Sequence, residues 1–241
     1  MKDLYDSIFH RKSIRKYDPD HPLSQEELDS VLELANDSQS LIKGIENTFV
    51  LTDKRLPNVR FGQASLLCFS QDRENCLLNA GYRLEQVDLQ LAQMGIGSCW
   101  YGLSRPTRKV AGMVYVIQLA IGRSLENWRK SADEFNRKPI EEIWSGDFDS
   151  DVKQAVRLSP SACNSQSWRI ESSEGCIRIY RTAAYKTIIP TGMKAYFNTI
   201  DLGICLCHLE LALARKGFRF SSELASPCEG DPVKIAEYLL H

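Results

Sequence analysis

The 241-residue chain lacks an excess of charge of either sign: 30 Lys and Arg stand against 31 Asp and Glu, a net −1. Without a basic surplus it has no electrostatic footprint for nucleic acid or anionic lipid, and neither is expected as a partner. It also lacks an apolar run approaching the 18 residues of a membrane helix, so no membrane span is expected. Its first residues, Met1-Lys2-Asp3-Leu4-Tyr5-Asp6, put acids where a secretory signal has a basic segment and then an apolar stretch. Export is therefore not expected, and a cytoplasmic location is. The patterns G-x-x-x-x-G-K-[ST], H-E-x-x-H, G-x-S-x-G and the EF-hand loop are all missing, which removes support for ATPase, zincin, α/β-hydrolase and calcium-sensor chemistry. No C-x-x-C occurs either. The eight cysteines (68, 76, 99, 163, 176, 205, 207 and 228) are scattered through apolar segments and read as reduced thiols without disulfides. Cys205-x-Cys207-His208 is not expected to hold a metal, because residues two apart on a helix point away from one another.

What is present is an α+β pattern with 43% apolar residues, enough for a sizeable core. Leu4, Tyr5, Ile8 and Phe9 suggest a helix over 3–10, and Ser24-Gln25-Glu26-Glu27 resembles a capping box opening a second helix through Val31, Leu32 and Leu34. Strands are expected at 47–52, 64–70, 113–122, 167–172 and 176–181, and helices at 79–94, 140–144, 151–158 and 197–216. The last of these is apolar nearly all round, the pattern of a helix buried on most sides. Between residues 123 and 139 lies a polar stretch that reads as an ordered connection or flap. A weak internal repeat is also present. Leu-Ala-Gln-Met-Gly95-Ile matches Leu-Ala-Arg-Lys-Gly217-Phe at an offset of 217 − 95 = 122, which lays Ser38 onto Pro160. Two half-length units, 1–148 and 149–241, are expected.

Three segments carry candidate chemistry. Arg11-Lys12-Ser13-Ile14-Arg15-Lys16 gathers guanidinium, ammonium and hydroxyl groups of the kind that bind phosphate, though a solvated basic helix end has the same composition. Ser159-Pro160-Ser161-Ala162-Cys163-Asn164-Ser165-Gln166-Ser167-Trp168 is a run of small polar residues leading into a strand, able to let a ring approach closely or to serve as an ordinary turn. Gly95-Ile96-Gly97-Ser98-Cys99-Trp100 follows a helix rather than a strand and has Trp at its last position, so it is not a dinucleotide fingerprint. It reads as a flexible turn, either a helix cap or a set of amides facing a ligand.

Taken together with Gly122-Arg123 and Asn136-Arg137-Lys138-Pro139, these segments resemble the FMN-dependent nitroreductase family over nearly the whole chain. In that family two identical subunits form the flavin site at their interface. Here the Pro-Ser-x-x-Asn loop stands in the second half, the first half has only Asn36-Asp37-Ser38-Gln39-Ser40, and the second half has no Arg-x-Ser-x-Arg. The arrangement is similar to the single-chain branch, in which one chain corresponds to the whole dimer. The resemblance implies two mixed sheets around long central helices, a monomer with an internal pseudo-dimer, and one FMN per chain. It further implies that Arg11, Lys12, Ser13, Arg15 and Arg137 hold the phosphate and ribityl chain. Pro160, Ser161, Ala162 and Asn164 would line the ring, and the amides of Ile96, Gly97 and Ser98 would approach its reactive nitrogen. The expected activity is NAD(P)H-driven reduction of a small acceptor such as a nitroaromatic or quinone, ping-pong, with no catalytic side chain and with the polar stretch 123–137 shaping the acceptor pocket. The alternative is a ligand-binding pseudo-dimer of the same fold without turnover.

Overall fold

The computed structural model describes residues 4–53, 56, 59–104, 106, 108–183, 185, 187–226 and 230–241. The element order is α1 (Gln25–Asp37), β1 (Asn47–Thr52), β2 (Ala64–Ser70), α2 (Cys76–Gln93), β3 (Ile96–Tyr101), β4 (Val114–Arg123), β5 (Trp144–Ser145), α3 (Ser150–Arg157), β6 (Trp168–Ser173), β7 (Cys176–Arg181), α4 (Thr191–Arg215), β8 (Phe220–Leu224) and β9 (Val233–Leu240). One sheet has the order β1-β2-β4-β3 and the other β5-β6-β7-β9-β8. The named strands pair antiparallel except β5, which runs parallel to β6, while Ser13 makes a parallel bridge to Ser98 on β3. The fold is the nitroreductase-like α+β arrangement, with α2 and α4 in the core between the sheets.

Several of these elements follow from local chemistry. Ser24 Oγ accepts from the Glu27 amide while the Glu27 carboxylate accepts from the Ser24 amide, the reciprocal box that starts α1. Gly95 and Gly217, with φ of +72° and +79°, stop α2 and α4 in the left-handed conformation that glycine adopts without steric penalty. Other segments depart from expectation. Residues 6–9 form a short 3-10 turn, too short for an α-helix, though Leu4 and Ile8 are buried as their spacing requires. The segment 140–144 is a 3-10 turn at Ile140–Glu142 followed by β5, and β5 belongs to the second sheet although it precedes residue 148. Strands β8 and β9 are additional to those expected.

The helices α2 and α4 cross at two glycines. A Cβ on Gly81 would stand 2.1 Å from the Ile200 carbonyl oxygen, and one on Gly203 would stand 2.0 Å from that of Leu78. These positions are 203 − 81 = 122 apart, the spacing of the repeat. α4 has the length and apolarity of a membrane span, yet 89% of its apolar window is buried inside the protein. The contact between the two helices also carries polar links. His208 Nδ1 lies 2.9 Å from the Ala155 carbonyl, which requires a proton there, and its Nε2 lies 2.8 Å from Glu85 Oε1. Burial pushes the Glu85 carboxyl above its usual range. Glu210 accepts from the phenols of Tyr82 (2.6 Å) and Tyr238 (2.7 Å). Seven cysteines are free thiols; Cys228 lies outside the described residues. Among the described residues no cluster of His, Cys, Asp and Glu could hold a metal.

Candidate functional site

A cavity of about 470 Å³ opens between the two sheets, lined from the first half by Ser13, Arg15, Phe61 and residues 99–103, and from the second by Pro160–Cys163, Ile188–Pro190 and residues of α4. Asp88, fully buried on α2, organises the first side. It accepts Arg11 Nε at 2.7 Å, Trp100 Nε1 at 2.7 Å and the Ser98 hydroxyl, tying the N-terminal segment, the helix and β3 together. The Ile14 amide donates to the Ser98 carbonyl at 2.8 Å, which lays Ser13 and Arg15 along the sheet edge. The Arg15 guanidinium lies 6.0 Å from the Phe61 ring centroid, and Phe61 packs edge-on to Tyr101.

The second side is a strained loop. Cys163, Asn164 and Gln166 have φ of +52°, +55° and +48°, left-handed conformations that cost non-glycine residues about 1–2 kcal/mol each. The surroundings hold them there. The Gln166 amide donates to Ser161 Oγ (2.9 Å), Gln166 Oε1 accepts from the Lys138 amide (2.8 Å), and the Ala162 amide donates to both carboxyl oxygens of Asp201 at 3.0 and 3.1 Å. Arg137 ties the same loop from outside. It donates to the carbonyls of Leu158 and Ser159 and to Asn164 Oδ1, while Asn164 Nδ2 donates to the Asn136 carbonyl.

Beside the Arg11–Ser13 segment and this loop is a cluster of arginines. Arg129 stacks over Phe135 with its Cζ 4.0 Å from the ring centroid, donates to the Arg11 carbonyl at 2.6 Å, and shares that ring with Arg137 at 5.6 Å. Burial and the neighbouring cations lower Arg129 to about 10 and Arg137 to about 9. Arg11 is 3% exposed and its Nη2 is buried without a hydrogen-bond partner. Desolvation opposes its charge, but Asp88 and Glu85 hold its pKa above the ordinary value. The three guanidinium groups thus stand close together, Arg11 paired with Asp88 and the other two without a carboxylate at ion-pair distance among the described residues.

The residues singled out in the sequence therefore fall into three groups. Ser13, Arg15, Pro160, Ser161 and Ala162 line the cavity. Arg11, Arg137 and Asn164 stand behind it, and Lys12 is turned into an ion pair with Glu126 at 3.0 Å. Ile96, Gly97 and Ser98 require a correction: they are not a flexible turn but the start of β3, laddered to Ile121–Arg123 on one side and bridged to Ser13 on the other, and none of the three lines the cavity. The close approach explains the glycine, since a Cβ on Gly97 would lie 2.8 Å from Ile14 Cγ2. The polar stretch 123–137 likewise contributes nothing to the cavity wall. It straps the N-terminal segment instead, Glu126 accepting from the amides of Arg15 and Lys16. The wall comes from Phe61, Tyr101, Leu103 and Ile188, the last two exposed at 70% and 88%. Sequence reasoning missed Arg129 and Asp201; Arg129 stood within the polar stretch, and Asp201 was legible only as an acid in an apolar helix. On the opposite side, the Asn36–Ser40 segment encloses the Arg83 side chain, which donates to the carbonyls of Ala35 and Asn36 and to Ser38 Oγ.

A cavity lined from both halves of an α+β chain, with small polar residues on one wall and a group of arginines beside it, stands in a nitroreductase-like fold. A family model described as "Putative TM nitroreductase" matches residues 3–213, and the chain belongs to that nitroreductase family of oxidoreductases. No curated protein sequence matches it. Among solved structures, a "putative nitroreductase" from Thermotoga maritima is 18% identical with a TM-score of 0.65, over 98% of this chain and 92% of that one. An "FMN-dependent Nitroreductase" from Clostridium difficile is 18% identical with a TM-score of 0.45, over 61% of this chain and all of the other. An iodotyrosine deiodinase bound to FMN and 3-iodo-L-tyrosine is 15% identical with a TM-score of 0.43, over 56% and 95%.

Proposed function

We propose that the chain binds one FMN between two diverged halves, an internal pseudo-dimer that works as a cytoplasmic monomer, and uses NAD(P)H to reduce a small acceptor. The observation that carries this reading is the arginine cluster beside a cavity lined from both halves. The buried Arg11 Nη2 has no partner, and a phosphate supplies the acceptor and the negative charge that the cluster lacks. Arg11, Arg129 and Arg137 would hold that phosphate, Ser13 and Arg15 would meet the cofactor from the sheet edge, and Pro160–Ala162 would face the ring. FMN supplies a two-electron carrier that takes up a hydride and passes it on, so the protein needs to position substrates rather than provide a nucleophile.

One cofactor per chain follows from the asymmetry of the halves. Where the second half has its strained loop and cavity, the first has Arg83 packed against Ala35, Asn36 and Ser38. The aromatic and aliphatic wall formed by Phe61, Tyr101, Leu103 and Ile188 suits flat, weakly polar acceptors such as quinones or nitroaromatics. The experiment is direct. Purified protein should show flavin absorbance that NAD(P)H bleaches, and parallel double-reciprocal lines with a quinone acceptor would mark successive use of one pocket. Protein that neither carries nor takes up FMN refutes the reading, and bound FMN that NAD(P)H fails to reduce leaves a ligand-binding pseudo-dimer.

A further inference from the structure

Asp201 is the single carboxylate among the described residues that line the cavity, and it is 3% exposed. It projects from α4 beneath the strained loop, where its two oxygens accept the Ala162 amide and Oδ2 lies 3.4 Å from the Ser165 hydroxyl. The titratable groups that face it are the thiols of Cys163 on the loop and Cys205 one turn along α4, and the phenol of Tyr185. All are neutral at physiological pH. The influences on the Asp201 carboxyl are burial, the Ala162 amide and the Ser165 hydroxyl, with no cation among them.

The position 122 residues earlier, Asn79, offers an internal comparison. Its Oδ1 accepts the Ile42 amide at 3.0 Å, the same kind of support for the corresponding loop of the first half, provided by a side chain that cannot ionise. An amide is thus sufficient to hold a loop in this fold. The half that faces the cavity has an acid instead. Burial without a cation raises that acid to about 8, far above the ordinary carboxylate range.

We propose that Asp201 is a positioning residue that supports the cavity-facing loop as a neutral carboxylic acid, so that ligand binding in the cavity is coupled to its retaining a proton. The inference rests on the flavin reading of the site. A ring filling the cavity removes water from the carboxyl and disfavours its anion further, so the ligand binds the protonated protein more tightly. Raising the pH through the point where free Asp201 ionises therefore weakens binding, and lowering it restores binding.

Riboflavin is the probe, because it lacks the phosphate and is indifferent to titration of the arginines. Wild-type protein should lose three- to tenfold in riboflavin affinity between pH 7.5 and 9.5, whereas Asp201→Asn should match wild type at pH 7 and stay flat. In the ligand-free protein, the Ala162 amide resonance should titrate with a midpoint near 8 and cease to titrate in Asp201→Asn; Asp201→Glu should restore a titration. A flat wild-type riboflavin profile, or an Ala162 titration that survives in Asp201→Asn, overturns the coupling. Failure of the flavin reading looks different: neither protein binds riboflavin or FMN at any pH while Ala162 still titrates, and the coupling falls with that reading.

Discussion

Replacing Arg129 by alanine should weaken FMN while leaving riboflavin untouched. In the free protein the change removes one hydrogen bond, to the Arg11 carbonyl, and the stacking on Phe135. It also relieves repulsion, since Arg129 is among the cations that hold Arg137 down at about 9. The bond is worth about 0.5–1.5 kcal/mol and the relief offsets part of it, so the fold should survive. In the complex the loss is one-sided. A charge-assisted hydrogen bond to phosphate contributes about 1.5–3 kcal/mol, which is roughly 10- to 150-fold in dissociation constant. Quenching of flavin fluorescence measures both ligands in the same buffer. An equal loss for FMN and riboflavin would show that Arg129 supports the fold rather than the phosphate, and no loss for either would refute its place at the anion site.

Other outcomes follow from the same geometry. Titration of the flavin-free protein with FMN should reach an end point at one equivalent per chain; two would contradict the asymmetry of the halves. Gly81→Ala should destabilise by at least about 2 kcal/mol, because the Ile200 carbonyl cannot yield as a side chain would. For a chain of this length that is roughly 5 °C or more in Tm, despite the better helix propensity of alanine. Asp201 is protonated in the native state up to about pH 8 and ionised from about 4 in the unfolded chain, so its contribution to stability declines as pH rises between those values. Asp201→Asn should flatten that decline, read by urea unfolding at pH 5 and pH 8.

The chain's local chemistry was legible without coordinates wherever neighbouring residues decide the outcome. Ser24 and Glu27 start α1 through a bond spanning three residues, Gly95 and Gly217 end the long helices because of their own backbone freedom, and the apolar runs 47–52 and 64–70 are strands as their composition requires. The order of the Arg-x-Ser-x-Arg, Gly-x-Gly-Ser and Pro-Ser-x-x-Asn segments was enough to indicate the family. What the sequence could not decide depends on partners far away along the chain. Gly97 reads as a turn until Ile14 is seen to pack where its side chain would be, and β8, with its exposed Ser221, Ser222 and Glu223, is a strand only because β9 offers it a ladder. Arg129 is one cation among many in a polar stretch until Phe135, Arg11 and Arg137 gather round it. Asp201 is an ordinary acid until α4 buries it beneath Ala162. Solvation and long-range contact, not residue type, set what these groups do, and both exist only once the chain has folded.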